Sequence, residues 1–200
     1  MKNTGRKWTR WLLTLALVLG LVPAVAIPAH AECYSIVGDT MYLLESIDKE
    51  EIRNYKNKGN ITKIVAMNSE LPSDCSGMFE GYTACENINL INAEKSKVNN
   101  MRGMFEGCKK LQNLIWDFSA EANTTSNVTD MSYLFYGCEK LDENGLTLSN
   151  FDTKKVTNMK AMFEGCNGLK QLDLSCFDTS KVTDMEGMFG DSSALSALAS

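Results

Sequence analysis

The chain has 200 residues and a formal net charge of −5 at pH 7, from 20 basic and 25 acidic side chains, with one histidine. The first 31 residues contain four of the basic side chains, none of the acidic ones and the histidine. The remainder keeps 16 basic and 25 acidic residues, a net charge of −9. That balance excludes the basic surface by which proteins bind nucleic acid or anionic lipid. Without histidine it also excludes imidazole as a catalytic base or metal ligand.

Residues 1–31 have the organisation of a secretory signal peptide. An apolar run at 11–22 is too short to span a bilayer with ease, and Ala29-His30-Ala31 fits a cleavage site. An uncleaved membrane anchor is the disfavoured alternative. We therefore expect a secreted or extracellular cell-surface protein with no stable membrane insertion after cleavage. The positive start of the segment consists of Lys2, Arg6, Lys7 and Arg10.

One phrase recurs along the rest of the chain. It ends in a phenylalanine, and these phenylalanines lie 26, 30, 28 and 26 residues apart: Phe79, Phe105, Phe135, Phe163 and Phe189. Periods of this length predict a repeat protein, in which each unit buries its apolar face only against its neighbours. The longer intervals have polar extra residues around 120–124 and 143–144, which are expected in surface loops.

The spacing within the phrase is typical of a helix. Met101, Met104, Phe105 and Cys108 lie at positions i, i+3, i+4 and i+7. A capping side chain precedes the phrase, and a glycine suited to a left-handed stop follows it. We therefore predict a helix of about two turns in each repeat. The capping residues are Asn100, Asp130, Asn158 and Asp184, and the glycines are Gly107, Gly137 and Gly165.

A strand is predicted after each glycine. Leu172 and Leu174 would face one side of the strand and Asp173 the other, and residues 85–90 and 111–116 repeat this pattern. A turn phrase then leads to the next copy, with the sequence FDTKKVT at 151–157 and FDTSKVT at 177–183.

These phrases carry a family resemblance. The segments LDLSCFDTSKVTDMEGMF and NFDTKKVTNMKAMFEGC resemble the BspA-like leucine-rich-repeat surface proteins, over roughly residues 61–200. The first repeat departs from the pattern, because Tyr82 and Cys85 replace the usual Cys and Leu. The resemblance implies a secreted or surface-attached bacterial protein, with adhesins among the family and no defined catalytic residues.

The repeat and the resemblance together predict an α/β repeat fold. We expect a right-handed leucine-rich-repeat-type solenoid at 71–200, with short strands in a parallel ladder and about five short helices. Residues 32–70 do not fit the repeat and are predicted to be an N-terminal cap. Within it, residues 41–44 and 61–65 read as strands, and Asp48 with Glu51 resembles a capping box that opens a helix ending near Gly59.

The cysteines of the repeat have two interpretations. Cys108, Cys138 and Cys166 recur at one position, so a disulfide or metal ladder is one reading. Ser192 and Tyr82 at the same position favour the other, in which cysteine is a small buried apolar residue. Zinc would need four convergent ligands, and no Cys-x-x-Cys pair or histidine supplies them. We expect these three thiols to be reduced and buried, and we assign no pairing to Cys33.

Other candidate metal ligands also have simpler explanations. The methionines of the phrase are expected in the core rather than at a copper site. Asp130 and Asp184 are expected to cap helices, and Asp152 and Asp178 to form an acidic row near lysines, without the convergent oxygens that calcium requires. No catalytic residue, metal or cofactor is therefore expected, and the ligand-binding residues remain unassigned. The neighbouring lysines are Lys154, Lys155 and Lys181.

Two functions fit the sequence. The first is binding or adhesion to a protein or glycan of a host or bacterial surface. The alternative is a structural spacer within a larger surface protein that displays another domain. Because residues 195–200 end inside a strand phrase, we expect a truncated product or fragment. Its residues 192–200 would fray, and its last repeat would favour self-association.

Overall fold

The structure is a computed structural model, and it describes residues 33–116 and 125–199. The predicted signal peptide and the predicted loop at 120–124 lie outside these residues. In the part of the chain that is described, no helix combines the length and the apolar character needed to cross a membrane.

The regular secondary structure of the described residues consists mainly of short strands, with one short α-helix and one 3₁₀ turn at Lys58–Asn60. In chain order the elements are β1 Tyr34–Val37, β2 Thr40–Leu43, α1 Lys49–Arg53, β3 Lys63–Ala66, β4 Ser69–Glu70, β5 Asn87–Asn89, β6 Ala93–Glu94, β7 Asn113–Ile115, β8 Gln171–Asp173 and β9 Ala197–Ala199.

The strands of successive repeats pair in parallel, as predicted. The largest sheet has the order β1-β2-β3-β5-β7, in which only the β1–β2 pair is antiparallel. Two further parallel pairs are β4–β6 and β8–β9, so β9 is paired although it lies in the segment expected to fray. A strand pair was also predicted beside the insertion at 143–144. The structure has only an isolated parallel β-bridge there, between Leu114 and Leu146.

The predicted helix in each repeat is wrong. Residues 101–108 form successive turns, and their N–H groups alternate between two kinds of acceptor. One set donates to the carbonyl three residues back, and the other donates to the next repeat, whereas in an α-helix every bond runs four residues back. The first set is Met104, Glu106 and Cys108, and the second is Met101, Gly103, Phe105 and Gly107.

Left-handed residues account for this backbone. Gly103 and Gly107 have φ values of 58° and 69°, far from the value near −63° of an α-helix. The position of Gly103 stays left-handed in later repeats even where another residue occupies it, with φ 59° at Tyr133 and 52° at Ala161. The turn conformation is therefore a property of the stacked repeat and not of glycine alone.

The predicted core is nevertheless confirmed, except in the last repeat, where Met185 is 44% exposed. Met101, Met104, Phe105 and Cys108 are each fully buried, because the succession of turns keeps them on one side of the chain. The phenylalanine rings of adjacent repeats stack with centroids 5.5–5.8 Å apart. The hydrophobic core runs continuously through the repeats.

The cap covers the first repeat. Helix α1 begins after Asp48, whose carboxylate accepts a hydrogen bond from the Glu50 N–H at 2.8 Å, as an N-cap does. The helix ends at Arg53, earlier than predicted, and Glu51 accepts a hydrogen bond from the Cys33 thiol at 3.0 Å instead of completing a capping box. The Tyr82 hydroxyl donates to the Ile52 carbonyl at 2.6 Å, which explains the tyrosine at a position that holds cysteine elsewhere.

Candidate binding surface

A row of glycines forms a strip of bare backbone across the repeats. Gly81, Gly107, Gly137 and Gly165 all have positive φ, between 67° and 73°. A Cβ added to Gly165 would lie 3.4 Å from the Cα of Gly137, and one added to Gly137 would lie 3.9 Å from the Cα of Gly107. Backbones of neighbouring repeats therefore approach closely here.

A groove of about 310 Å³ runs along three glycines of this row, Gly107, Gly137 and Gly165. Its lining includes the residue before each of these three glycines and the residue two positions after it. Because these positions recur in every repeat, the fold sets the shape of the groove while the side chains at its edges vary. The side chains are Glu106, Tyr136 and Glu164 before the glycines, Lys109, Glu139 and Asn167 after them, and Asp191.

The groove is acidic. It contains four carboxylates and one ammonium group, that of Lys109, which pairs with Glu139 at 3.1 Å. Partial burial, reinforced by the nearby carboxylate of Glu80, raises the pKa of Glu106 above its ordinary value. A groove with this lining favours ligands that carry positive charge or hydrogen-bond donors.

An aromatic surface adjoins the carboxylates. Tyr136 is 36% exposed, and among the described residues only Met185 joins it as a large exposed hydrophobic side chain. The centroid of the Tyr136 ring lies 5.8 Å from that of the Tyr133 ring. The Arg102 guanidinium lies over the Tyr133 ring, 4.5 Å from its centroid. Tyrosine supplies a rigid apolar face with a polar tip, a combination enriched at binding surfaces.

The repeated cysteines belong to the interior and not to this surface. The thiol of Cys138 donates to the Phe105 carbonyl of the preceding repeat at 3.2 Å, and Cys108 and Cys166 make equivalent bonds at 3.1 Å. Ser192, which replaces cysteine in the last repeat, bonds the Phe163 carbonyl at 2.7 Å. All seven cysteines are free thiols, and burial raises the pKa of Cys166 to about 12.

The aspartates considered as calcium ligands bind backbone instead. Asp130 accepts a hydrogen bond from the Ser132 N–H at 2.8 Å, and Asp184 accepts one from Glu186 at 2.9 Å. Asp178 accepts one from the Ser180 N–H at 2.9 Å, and hydrogen bonds from Ser180 lower the pKa of its carboxyl. Each stabilises a turn. Among residues 33–116 and 125–199, no three His, Cys, Asp or Glu side chains are grouped to hold a metal ion.

Sequence reasoning missed the role of a buried threonine. Thr153 donates to the Asp178 carbonyl of the next repeat at 3.1 Å and accepts from the Asp178 N–H at 2.8 Å. Thr125 makes the same pair of bonds with Asp152, at 3.0 and 2.7 Å. The signal was present in the sequence, because the threonine recurs in FDT at 151–153 and 177–179.

Successive units of the chain are joined by the same set of backbone hydrogen bonds and by one stack of phenylalanine rings. These features define the chain as a repeat protein. A family model described as "Mycoplasma protein of unknown function, DUF285" matches residues 73–124 and 119–199. The chain belongs to this family. No curated protein is found to match it.

Among solved structures, the chain is similar to a leucine-rich repeat protein from Bacteroides ovatus ATCC 8483. The two are 19% identical, with a TM-score of 0.35, and the match covers 84% of this chain and 46% of the other. The chain thus spans about half the length of that protein.

Proposed function

We propose that this chain is a secreted, non-enzymatic binding protein of a bacterial cell surface, which recognises a protein or glycan through the groove along the glycine row. The observation that carries the proposal is the groove itself, an open channel whose floor is fixed by glycines and whose edges vary from repeat to repeat. Export rests on the amino-terminal sequence, with its positive start, short apolar run and Ala29-His30-Ala31.

The proposed architecture is a right-handed leucine-rich-repeat-type solenoid of the BspA-like kind. Two observations support it. The same set of inter-repeat hydrogen bonds recurs at each of four junctions, and the ring stack from Phe79 to Phe189 has nearly constant spacing. Solenoids bind partners through side chains displayed on one continuous surface, which suits a groove that crosses several repeats.

The side chains that line the groove favour a ligand with many hydrogen-bond donors. Carboxylates such as Glu164 accept hydrogen bonds from ammonium, guanidinium or sugar hydroxyl groups, and the amide of Asn167 can both donate and accept. Tyr136 offers a flat apolar face to the carbon skeleton of a sugar or a side chain. A basic peptide segment or a neutral glycan therefore fits better than an anionic polymer.

An array of host-matrix proteins, mucosal glycans and bacterial-surface ligands tests the proposal. We expect the chain to bind at least one ligand without turnover, and the variants Tyr136→Ala and Glu164→Gln to weaken that binding at least tenfold. Lys140→Ala is the matched control, because Lys140 is exposed and lies outside the groove lining. If neither variant weakened the binding, the groove would not be the contact surface.

Absence of binding across the whole array would instead favour the alternative, a structural spacer that displays another domain. In that case the acidic edges would serve only to keep the stack soluble.

A further inference from the structure

The third copy of the turn phrase differs from the first two at two positions, three residues apart. In the first two copies these positions hold a glycine with positive φ and a glutamate. The glutamate side chain folds over the glycine, because a Cβ built on Gly103 would lie 2.8 Å from a carboxylate oxygen of Glu106. In the third copy both positions hold tyrosine, Tyr133 and Tyr136. A pair of aromatic rings therefore replaces a glycine and the glutamate that covers it.

Tyr133 occupies its position against an unfavourable backbone conformation. Its φ is 59°, in the left-handed region that glycine adopts freely and that other residues disfavour. The side chain is only half-buried, so packing in the core does not account for a tyrosine here. Its ring instead contacts Tyr136 and the Arg102 guanidinium. Residues held in such conformations are concentrated at ligand sites, which directs attention to this aromatic pair.

Tyr136 lies in the groove between two carboxylates. The equivalent positions of the repeats before and after it hold Glu106 and Glu164, and all three residues line the groove. The phenylalanines that directly precede these three residues stack with centroids 5.6 and 5.5 Å apart, so each glutamate leaves the backbone about one such step from Tyr136. Within the described part of the chain, neither carboxylate forms a salt bridge. Their charge is therefore available to a ligand that lies on the Tyr136 ring.

The neighbouring ring already carries a guanidinium. Arg102 lies 4.5 Å from the centroid of Tyr133, and its Nη1 donates to the Ser132 hydroxyl at 2.9 Å. Tyr136 is exposed, and no cation of the described residues lies over its ring. A cation on that ring would be attracted by the aromatic face and by the carboxylates beside it. A neutral sugar would gain hydrogen bonds there but no attraction between charges, so the site favours a cation.

We propose that Tyr133 and Tyr136 make the groove selective for arginine side chains of a basic polypeptide segment. This rests on the proposed function and names the ligand class of the same groove. The guanidinium of the ligand stacks on Tyr136 and donates to Glu106 or Glu164, since it combines a planar face with five N–H donors. Tyr133 is a positioning residue that holds the Tyr136 ring. Lysine is the poorer ligand, because its ammonium is a point charge without a flat face.

Fluorescently labelled hexa-arginine is the probe, titrated with the chain and followed by fluorescence anisotropy. An ionic strength of about 0.15 M screens long-range attraction between surface charges. Hexa-lysine carries the same charge, and hexa-citrulline has the same planar side-chain group without the charge. We expect hexa-arginine to bind at least fivefold more tightly than hexa-lysine and at least tenfold more tightly than hexa-citrulline. Equal affinity for hexa-arginine and either of the other peptides overturns the proposal.

Variants of the chain locate the contact. Tyr136→Ala and Glu164→Gln should each weaken the binding of hexa-arginine at least tenfold. Glu143→Gln removes the same charge from an exposed position outside the groove lining, and should change the affinity less than twofold. Equal effects of the two glutamate variants would show that the peptide follows the net charge and not the groove.

The preference for arginine tests the role of Tyr133. Tyr133→Gly restores the residue that the first two copies have at this position. It should reduce the preference for hexa-arginine over hexa-lysine to less than twofold, and a general loss of stability does not change that ratio. An unchanged preference would overturn the role of Tyr133.

The ligand array separates this proposal from the proposed function. If a glycan of the array bound in a way that depends on Tyr136 while hexa-arginine did not bind, the groove would be a binding site and its selectivity for arginine would be wrong. If neither the array ligands nor the peptides bound, both proposals would fail.

Discussion

The phenyl ring of Phe163 stacks on that of Phe135, with centroids 5.5 Å apart and planes inclined by 17°. On its other side the ring of Phe189 lies 5.8 Å away at 3°. Phe163 is fully buried, so its ring fills the interval between two repeats. Each inner phenylalanine of the row contacts the repeats before and after its own, which couples the stability of one repeat to that of its neighbours.

Replacing Phe163 with alanine should therefore destabilise two junctions together. We expect Phe163→Ala to lower the free energy of unfolding by about 3–5 kcal/mol, through lost burial and the remaining cavity. Lys170→Ala, at an exposed position, should change it by less than about 0.5 kcal/mol. Urea melts measure both. Equal effects would contradict the assignment of the core.

Glycine in the groove floor should also be sensitive to substitution, although less than the core. Gly137 has a φ of 67°, where a side chain costs about 1–2 kcal/mol, and an added Cβ would approach the backbone of Gly107. That contact is at an ordinary van der Waals distance of 3.9 Å, so Gly137→Ala should lower the unfolding free energy by about that amount. Gly59→Ala is the control, because a Cβ at Gly59 meets nothing within 4 Å and its φ is not positive. The control should be neutral or slightly stabilising in the same melts.

The positions of the core could be read from the sequence, but the backbone between them could not. The spacing of Met101, Met104, Phe105 and Cys108 identified residues that share one face, and all four are buried. That spacing is compatible with a helix and equally with successive turns. The choice depends on N–H groups that donate to another repeat, about 26 residues away along the chain, and such long-range pairing leaves no local signal.

The candidate binding surface was predictable in part. Gly107, Gly137 and Gly165 were recognised as left-handed residues, and their φ values confirm this. The sequence places these glycines at the ends of predicted helices. It therefore does not predict the close approach of their backbones or the groove that results. The position before the glycine holds different residues in different repeats, such as Tyr136 and Glu164. Only the stacked geometry shows that these residues line the same groove.

A hydrogen-bonded threonine links the turn phrases of two repeats. Thr153→Val keeps the shape of the side chain but removes the donor to the Asp178 carbonyl and the acceptor for the Asp178 N–H. We expect a loss of about 1–3 kcal/mol, because buried backbone groups lose their partners. Thr179→Val, at the equivalent exposed position of the last repeat, should have little effect. A similar loss in both variants would show that the bonds contribute nothing specific.

The thiols should differ in their reactivity toward alkylating reagents according to how deeply they are buried. Cys108, Cys138 and Cys166 are fully buried, and burial raises the pKa of each, so little reactive thiolate forms. Under native conditions we expect them to resist alkylation and to react only after denaturation. Cys176 is exposed and should react first. Mass spectrometry of the alkylated peptides measures both, and a disulfide between any two of the buried cysteines would contradict this prediction.

The buried thiols should also make stability depend on alkaline pH. In the folded chain, burial raises the pKa of Cys166 to about 12 from an ordinary value of 9.0. Above about pH 9, the unfolded chain loses a proton that the folded chain keeps, so the free energy of unfolding falls as pH rises toward about 12. Well below pH 9 the Cys166 thiol is protonated in both the folded and the unfolded chain, so its contribution to the free energy of unfolding is constant.

Cys166→Ser removes the titrating thiol. The serine hydroxyl can take over the bond to the Phe135 carbonyl, as Ser192 bonds the Phe163 carbonyl. The difference in unfolding free energy between about pH 8 and pH 10.5 should therefore be smaller in Cys166→Ser than in the unchanged chain. Cys176→Ser, at an exposed position, should alter that difference less. An identical pH dependence in Cys166→Ser and the unchanged chain would mean that this thiol is ionised as readily in the folded protein as in the unfolded one.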